Sequence, residues 1–82
     1  SAQDSLELVR LFQVFFVAGI PVMAAEHFNE AKRFVTLIDV LYEAGAPLFC
    51  TAQAAPEGLY THGSGVFEFE RTVSRLRAMS AA

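Results

Sequence analysis

VFFVAGIPVMAAEHFNEAKRFVTLIDVLYEAGAPLFCTA, residues 14–52, carries two apolar runs with one long periodic segment between them. The first run, VFFVAGI over residues 14–20, is rich in β-branched and aromatic side chains and is closed by Gly19 and Pro21. A continuous run of that kind reads as a strand buried on both faces, the pattern of a parallel sheet. Over residues 26–44, Phe28, Ala31, Val35, Ile38, Leu41 and Tyr42 recur at three- and four-residue steps and make one helical stripe. Glu26 and Glu30 lie in the N-terminal half, where negative charge suits the helix dipole. Gly45 is a natural helix end, and Pro47 blocks continuation. PLFCTA, residues 47–52, is a second strand-type run, and Cys50 inside it is expected to be a small buried apolar residue. Strand, helix, strand is a βαβ unit, and its crossover is expected to be right-handed.

Working outward, Asp4 and Ser5 are good N-cap types ahead of Leu6, Val9 and Phe12, which predicts a short helix over residues 5–11. After Ala52 the chain turns to loop through QAAPEGLYTHGSG, punctuated by Pro56, Gly58, Gly63 and Gly65. Phe69, Val73, Leu76 and, less squarely, Met79 mark the apolar side of a last helix over residues 66–79. The order is therefore α-β-α-β-α, in the α/β class. Two strands do not make a doubly covered parallel sheet, so the unit reads as the edge of something larger, a single partial domain over residues 1–82.

Composition points the same way. A chain of 82 residues buries only about 60% of the surface it exposes when unfolded, so its core is thin. Yet 54% of it is hydrophobic, eight residues are Phe, and the mean hydropathy is +0.37. Such an excess calls for cover, either from the rest of a larger protein or from a second copy in a homo-oligomer. The longest apolar stretch, residues 14–25, falls short of the roughly 20 residues of a membrane span and contains Gly19 and Pro21. A net charge of −3 offers no basic stripe for nucleic acid. No signal peptide is recognisable, and Ser1 in place of Met is expected of a truncated or processed chain. The single Cys50 excludes an intramolecular disulfide and fits a reducing compartment.

Four chemical candidates stand out by residue type and spacing. Gly58 to Gly63 has the glycine spacing of a phosphate loop, but Ser64 and Gly65 stand where the Lys and the Ser or Thr belong. Turn glycines are the better account. Cys50 and His62 are a formal thiolate–base pair, against which stands the apolar strand around Cys50. Neither His27 nor His62 has a second ligand at metal spacing. Asp39 falls at the edge of the long helix's apolar stripe, where pairing with a Lys or Arg is expected rather than chemistry. Arg71 and Arg75 lie one turn apart on the last helix, with Glu68 and Glu70 beside them. Guanidinium forks suit phosphate or carboxylate. On spacing alone an intrahelical Glu68–Arg71 pair is the simpler expectation.

VFEFERTVSRLRAM, residues 66–79, resembles the closing signature Phe-Glu-Phe-x-Arg-Thr-x-Ser-Arg-Leu-x-Glu-Met of the ZapE-type ATPases, an AAA+-related P-loop family. Phe67, Glu68, Phe69, Arg71, Thr72, Ser74, Arg75, Leu76 and Met79 match in register. AKRFVTLIDVLYEAG, residues 31–45, is similar to the family's Ala-Arg-Arg-Phe-x-x-Leu-Ile/Val-Asp-x-Leu-Tyr helix. Pro56, Leu59 and Tyr60 resemble the Pro-x-x-x-Leu-Tyr stretch between them with one residue fewer after the proline, and VFFVAGIPVM looks like the preceding strand. Lys32, Ala78, Ala46-Pro47 and Gln53 depart from the pattern. None of these departures touches Arg71 or Arg75.

The resemblance implies the C-terminal segment of an ATPase domain at the edge of its parallel sheet, without Walker A or Walker B. The fragment is then not catalytically competent alone and holds no cofactor. The intact protein would bind and hydrolyse ATP with Mg²⁺ in the bacterial cytoplasm, soluble or peripheral to a membrane, and remodel a protein partner in cell division or protein quality control. In such ATPases arginines sense the γ-phosphate or stabilise its transfer. The resemblance therefore implies that role for Arg71 or Arg75, the other bracing the helix. The alternative is an autonomous α/β interaction or dimerisation module, and a third reading, a Cys50-dependent enzyme, requires a reactive thiol.

Overall fold

The computed structural model describes residues 13–45 and 47–80. Its elements run β1 (Phe15–Ile20), a 3₁₀ turn (Ala25–His27), α1 (Phe28–Ala44), β2 (Leu48–Ala52), a second 3₁₀ turn (Pro56–Gly58) and α2 (Val66–Met79). The helix expected over residues 5–11 lies outside the described residues. The strand–helix–strand unit is present, and β1 and β2 pair in parallel with Phe15 opposite Leu48, Phe16 opposite Phe49, and Val17 opposite Cys50. Each strand starts one residue later than its apolar run, and the long helix opens with the 3₁₀ turn at Ala25. The His27 ring accounts for that opening: its Nδ1 accepts the Ala24 amide at 3.0 Å and caps the turn. At the other end Gly45 takes the left-handed conformation, φ 70°, and returns its amide to the Tyr42 carbonyl, as a helix-ending glycine does.

Between Val17 and Ile20 the register slips, because β1 spends Ala18 and Gly19 where β2 has only Thr51 before Ala52. Gly19 adopts φ 72° there, and its amide donates to Thr51 Oγ1 at 2.8 Å. Pairing continues beyond the strands. Gln53 donates its amide to the Ile20 carbonyl and accepts the Val22 amide on Oε1, both at 2.9 Å. The Met23 amide then reaches the Leu59 carbonyl at 2.8 Å, and Met23 bridges Tyr60 in parallel. The loop after β2 is thus laid back along the extension of β1.

The core collects Ile20 and Leu48 from the strands, Ala31, Ile38 and Leu41 from α1, and Phe69, Leu76 and Met79 from α2. Met23, Leu59 and Tyr60 join it from the connections. Phe69 is central: its ring lies 6.2 Å from that of Phe34 on α1 and 5.6 Å, edge on, from Tyr60. Phe15 and Val17 pack against this core, but the strands are not buried on both faces as their composition led us to expect. Side chains alternate along a strand. On the other face Phe16 and Phe49 stack on each other at 5.6 Å while remaining 76% and 53% exposed. Cys50, expected in the core, is exposed as well. It opens onto a pocket of about 480 Å³ walled by Ile20, Ala54, Leu59 and Leu76 together with Arg77 and Ser80.

Candidate functional site

Helix α2 presents Arg71 and Arg75 one turn apart, and α1 presents Asp39 and Tyr42, also one turn apart. Docking of the two helices through Phe34, Ile38, Phe69 and Leu76 brings these faces together. Asp39 Oδ2 accepts from Arg71 Nη2 at 3.1 Å, and its other oxygen, Oδ1, accepts from Arg75 Nη1. The Arg75 guanidinium carbon also sits 4.7 Å from the centre of the Tyr42 ring, within cation–π range. The expected Glu68–Arg71 intrahelical pair does not form; the carboxylate across the helix interface takes its place. A carboxylate held on a facing helix can meet both guanidiniums at once, whereas Glu68 on the same helix can meet only one.

The two arginines differ in how they are held. The Arg75 side chain is 23% exposed, clamped between a carboxylate and an aromatic face, whereas that of Arg71 is 57% exposed. Two guanidinium cations around one carboxylate leave a positive charge that the cluster does not compensate. Arg71 is the more exposed of the two, and its bond to Asp39 uses Nη2 alone. An ion pair this exposed contributes little to stability, about 0–1 kcal/mol. Arg75 gains more from its ring contact, and its removal would leave the partly buried Asp39 carboxylate short of a partner.

The other candidates separate. Cys50 is on β2, and His62 is engaged by Thr61 Oγ1 at 3.0 Å, so no nucleophile–base pair is assembled between them. The 58–63 segment is not a phosphate cradle: Pro56–Gly58 forms a 3₁₀ turn and Gly63 is packed against the Tyr60 hydroxyl and the Ala25 backbone. Among the described residues no group of three or more His, Cys, Asp or Glu side chains comes together as a metal-binding cluster. No helix among them is long and apolar enough to cross a membrane. A second open groove of about 480 Å³ runs between α1 and the start of α2, past Phe28, Lys32, Tyr60 and Glu68, but it does not include the arginines.

Two features escaped sequence reasoning. Arg77 donates to Glu57 through two guanidinium nitrogens, Nε to Oε2 at 2.6 Å and Nη2 to Oε1, and ties the second 3₁₀ turn to the last turn of α2. The Arg77 hydrogen bonds hold the Glu57 carboxyl down at about 2. The twenty-residue separation left no local signal. The Tyr42–Arg75 contact was legible only in part, since Tyr42 lay on the apolar stripe without a named partner.

Comparison with known proteins places this geometry in context. The family described as AFG1-like ATPase matches residues 1–82. The chain is 35% identical over 81 residues to the cell division protein ZapE of Escherichia coli strain K12, and equally to that of Escherichia coli O157:H7. Those alignments cover 99% of this chain but 22% of each relative. An uncharacterized protein of Schizosaccharomyces pombe is 33% identical over 60 residues, which is 73% of this chain and 13% of that protein. No solved structure matches.

Proposed function

Because this chain belongs to the AFG1-like ATPase family, we propose that it is the C-terminal part of an ATP-binding, ATP-hydrolysing P-loop protein of AAA+ type. It spans 22% of the ZapE proteins it resembles. The phosphate cradle and the Mg²⁺ ligands then belong to upstream sequence, and this segment supplies a single element of the site: Arg71, facing the terminal phosphates of ATP. Arg75 is the brace. The observation that carries this division of labour is the contrast between an exposed Arg71 and a less exposed Arg75 held by both Asp39 and the Tyr42 ring. Arginine suits the task because it stays charged and offers several N–H donors to the charge spread over a transferring phosphoryl group.

Hydrolysis in the intact protein would drive remodelling of a protein partner in the bacterial cytoplasm. A role in division is supported by the ZapE relatives, which are cell division proteins. The deciding experiment compares Arg71→Ala and Arg75→Ala in the full-length protein. Arg71→Ala is expected to keep its melting temperature and lose about 10²-fold or more in kcat. Arg75→Ala is expected to lose stability first. Parental turnover in Arg71→Ala would overturn the assignment. A second reading, an autonomous dimerisation module, has the exposed Phe16–Phe49 pair in its favour. It requires one defined dimer of the isolated chain in sedimentation.

A further inference from the structure

We propose that Asp39 is a positioning residue for Arg71: its carboxylate, itself fixed by Arg75, aims the Arg71 guanidinium at the phosphate. This rests on the reading of Arg71 above and assigns its geometry to a residue of the other helix. Arg71 projects from an exposed face, where a long side chain left to itself spreads over many rotamers and loses much freedom when it binds. Asp39 removes that spread in advance. Oδ1 is committed to Arg75, and the Tyr42 ring under Arg75 holds that partner in turn. Oδ2 is then presented at a fixed place and engages Arg71 through Nη2 alone, at 3.1 Å.

Attachment by one nitrogen matters. A bidentate pair, such as Glu57 with Arg77, consumes the face of the guanidinium fork that would meet a phosphate. Arg71 keeps its Nε and Nη1 donors outside the Asp39 bond, and it is the more exposed of the two arginines. The carboxylate therefore orients the cation without using up its donors, and the cluster's surplus positive charge remains for the incoming anion. Because Asp39 stands on α1 and Arg71 on α2, the aim of the guanidinium also depends on how those helices dock.

The test uses full-length protein with Asp39→Asn, Asp39→Glu, Arg71→Ala and the Asp39→Asn/Arg71→Ala double variant, reading kcat and KM for ATP beside thermal unfolding. Asp39→Asn keeps the size of the side chain and removes its charge. It should lower kcat about tenfold and leave KM within about twofold, because the contact it aims is strongest in the transition state. In the Arg71→Ala background the same change should cost nothing further, since there is no longer a guanidinium to aim. Asp39→Glu, which keeps the charge and moves it by one methylene, should fall between the parent and Asp39→Asn. It also keeps the test decisive should Asp39→Asn fail to fold. Equal losses in both backgrounds would make Asp39 a structural residue and overturn the proposal. So would parental kcat in Asp39→Asn or Asp39→Glu alongside an impaired Arg71→Ala, and then the Arg71 reading would stand. Parental kcat in Arg71→Ala would instead remove the reading beneath it, and the proposal with it.

Discussion

Replacing Thr72 by valine should raise the melting temperature of this chain. Thr72 lies on α2 between Phe69 and Leu76, fully buried, and its Oγ1 has no hydrogen-bond partner. A helical threonine usually returns its hydroxyl to a carbonyl one turn back, and here that bond is not made. An unmet buried hydroxyl costs about 1–3 kcal/mol of desolvation. Valine has the same branched shape, and its helix propensity is close to that of threonine, so the backbone cost of the exchange nearly cancels. A net gain of about 1 kcal/mol follows, which for a domain of this size is roughly 4–8 °C. Thermal unfolding followed by circular dichroism reads it directly. Thr72→Ser is the control, because it keeps the hydroxyl and deletes a buried methyl group worth about 0.8 kcal/mol, so it should melt below the parent. If Thr72→Val melted below the parent, the hydroxyl would have a partner and the reasoning would be wrong.

Gly63→Ala should cost more than about 1 kcal/mol, because φ is 123° and a Cβ would meet the Tyr60 hydroxyl at 2.6 Å and Ala25 Cα at 2.9 Å. A lower urea midpoint at unchanged slope would register it, and an unchanged midpoint would refute it. The Glu57 carboxyl is held at about 2 against an ordinary 4.5 by Arg77, so its stabilisation is present above about pH 4.5 and fades as pH falls toward 2. The unfolded chain takes up that proton first. Glu57→Gln should therefore flatten the fall in melting temperature across that window; parallel pH profiles would discount the pair. Phe16→Ser with Phe49→Ser should reduce concentration-dependent association in sedimentation and lower the melting temperature little, since both rings are exposed. Unchanged association would mean that the outer sheet face does not mediate it.

What was legible in the sequence was local. Gly45 and Pro47 stopped α1 because a left-handed residue and a missing donor act within one turn. The last helix was found at its observed bounds, Val66–Met79, since the glycine-rich loop gives way there to a three- and four-residue apolar step. What was not legible depended on partners. Leu59 and Tyr60 read as loop, yet both are buried, because the Met23 amide and bridge supply pairing that no local pattern announces. The spacing of Arg71 and Arg75 put them on one helix face but did not say which carboxylate would oppose it. Glu68 was nearer in sequence, and Asp39, 32 residues from Arg71, was nearer in space. Cys50 was read from strand composition, which assumes cover on both sides of the sheet.

The exposed apolar surface bears on the choice between fragment and dimer. Phe16 and Phe49 lie on the outer sheet face, Val40 on α1 and Phe67 on the first turn of α2, exposed by 76%, 53%, 61% and 78%. A two-fold interface is one self-complementary patch and covers one such place. These residues stand on a sheet, a helix flank and a helix start, while the pocket beside Cys50 opens on the core side of the same sheet. Cover over several separate elements is what embedding in a longer chain provides, and the chain spans 22% of its ZapE relatives. Strands of a parallel sheet are ordinarily covered on both faces and flanked by other strands. β1 and β2 have the composition for that and, among the described residues, only one side of it. The same argument fits Arg71. It is more exposed than Arg75, and in the longer polypeptide we propose, the phosphates of ATP would lie on that exposed side.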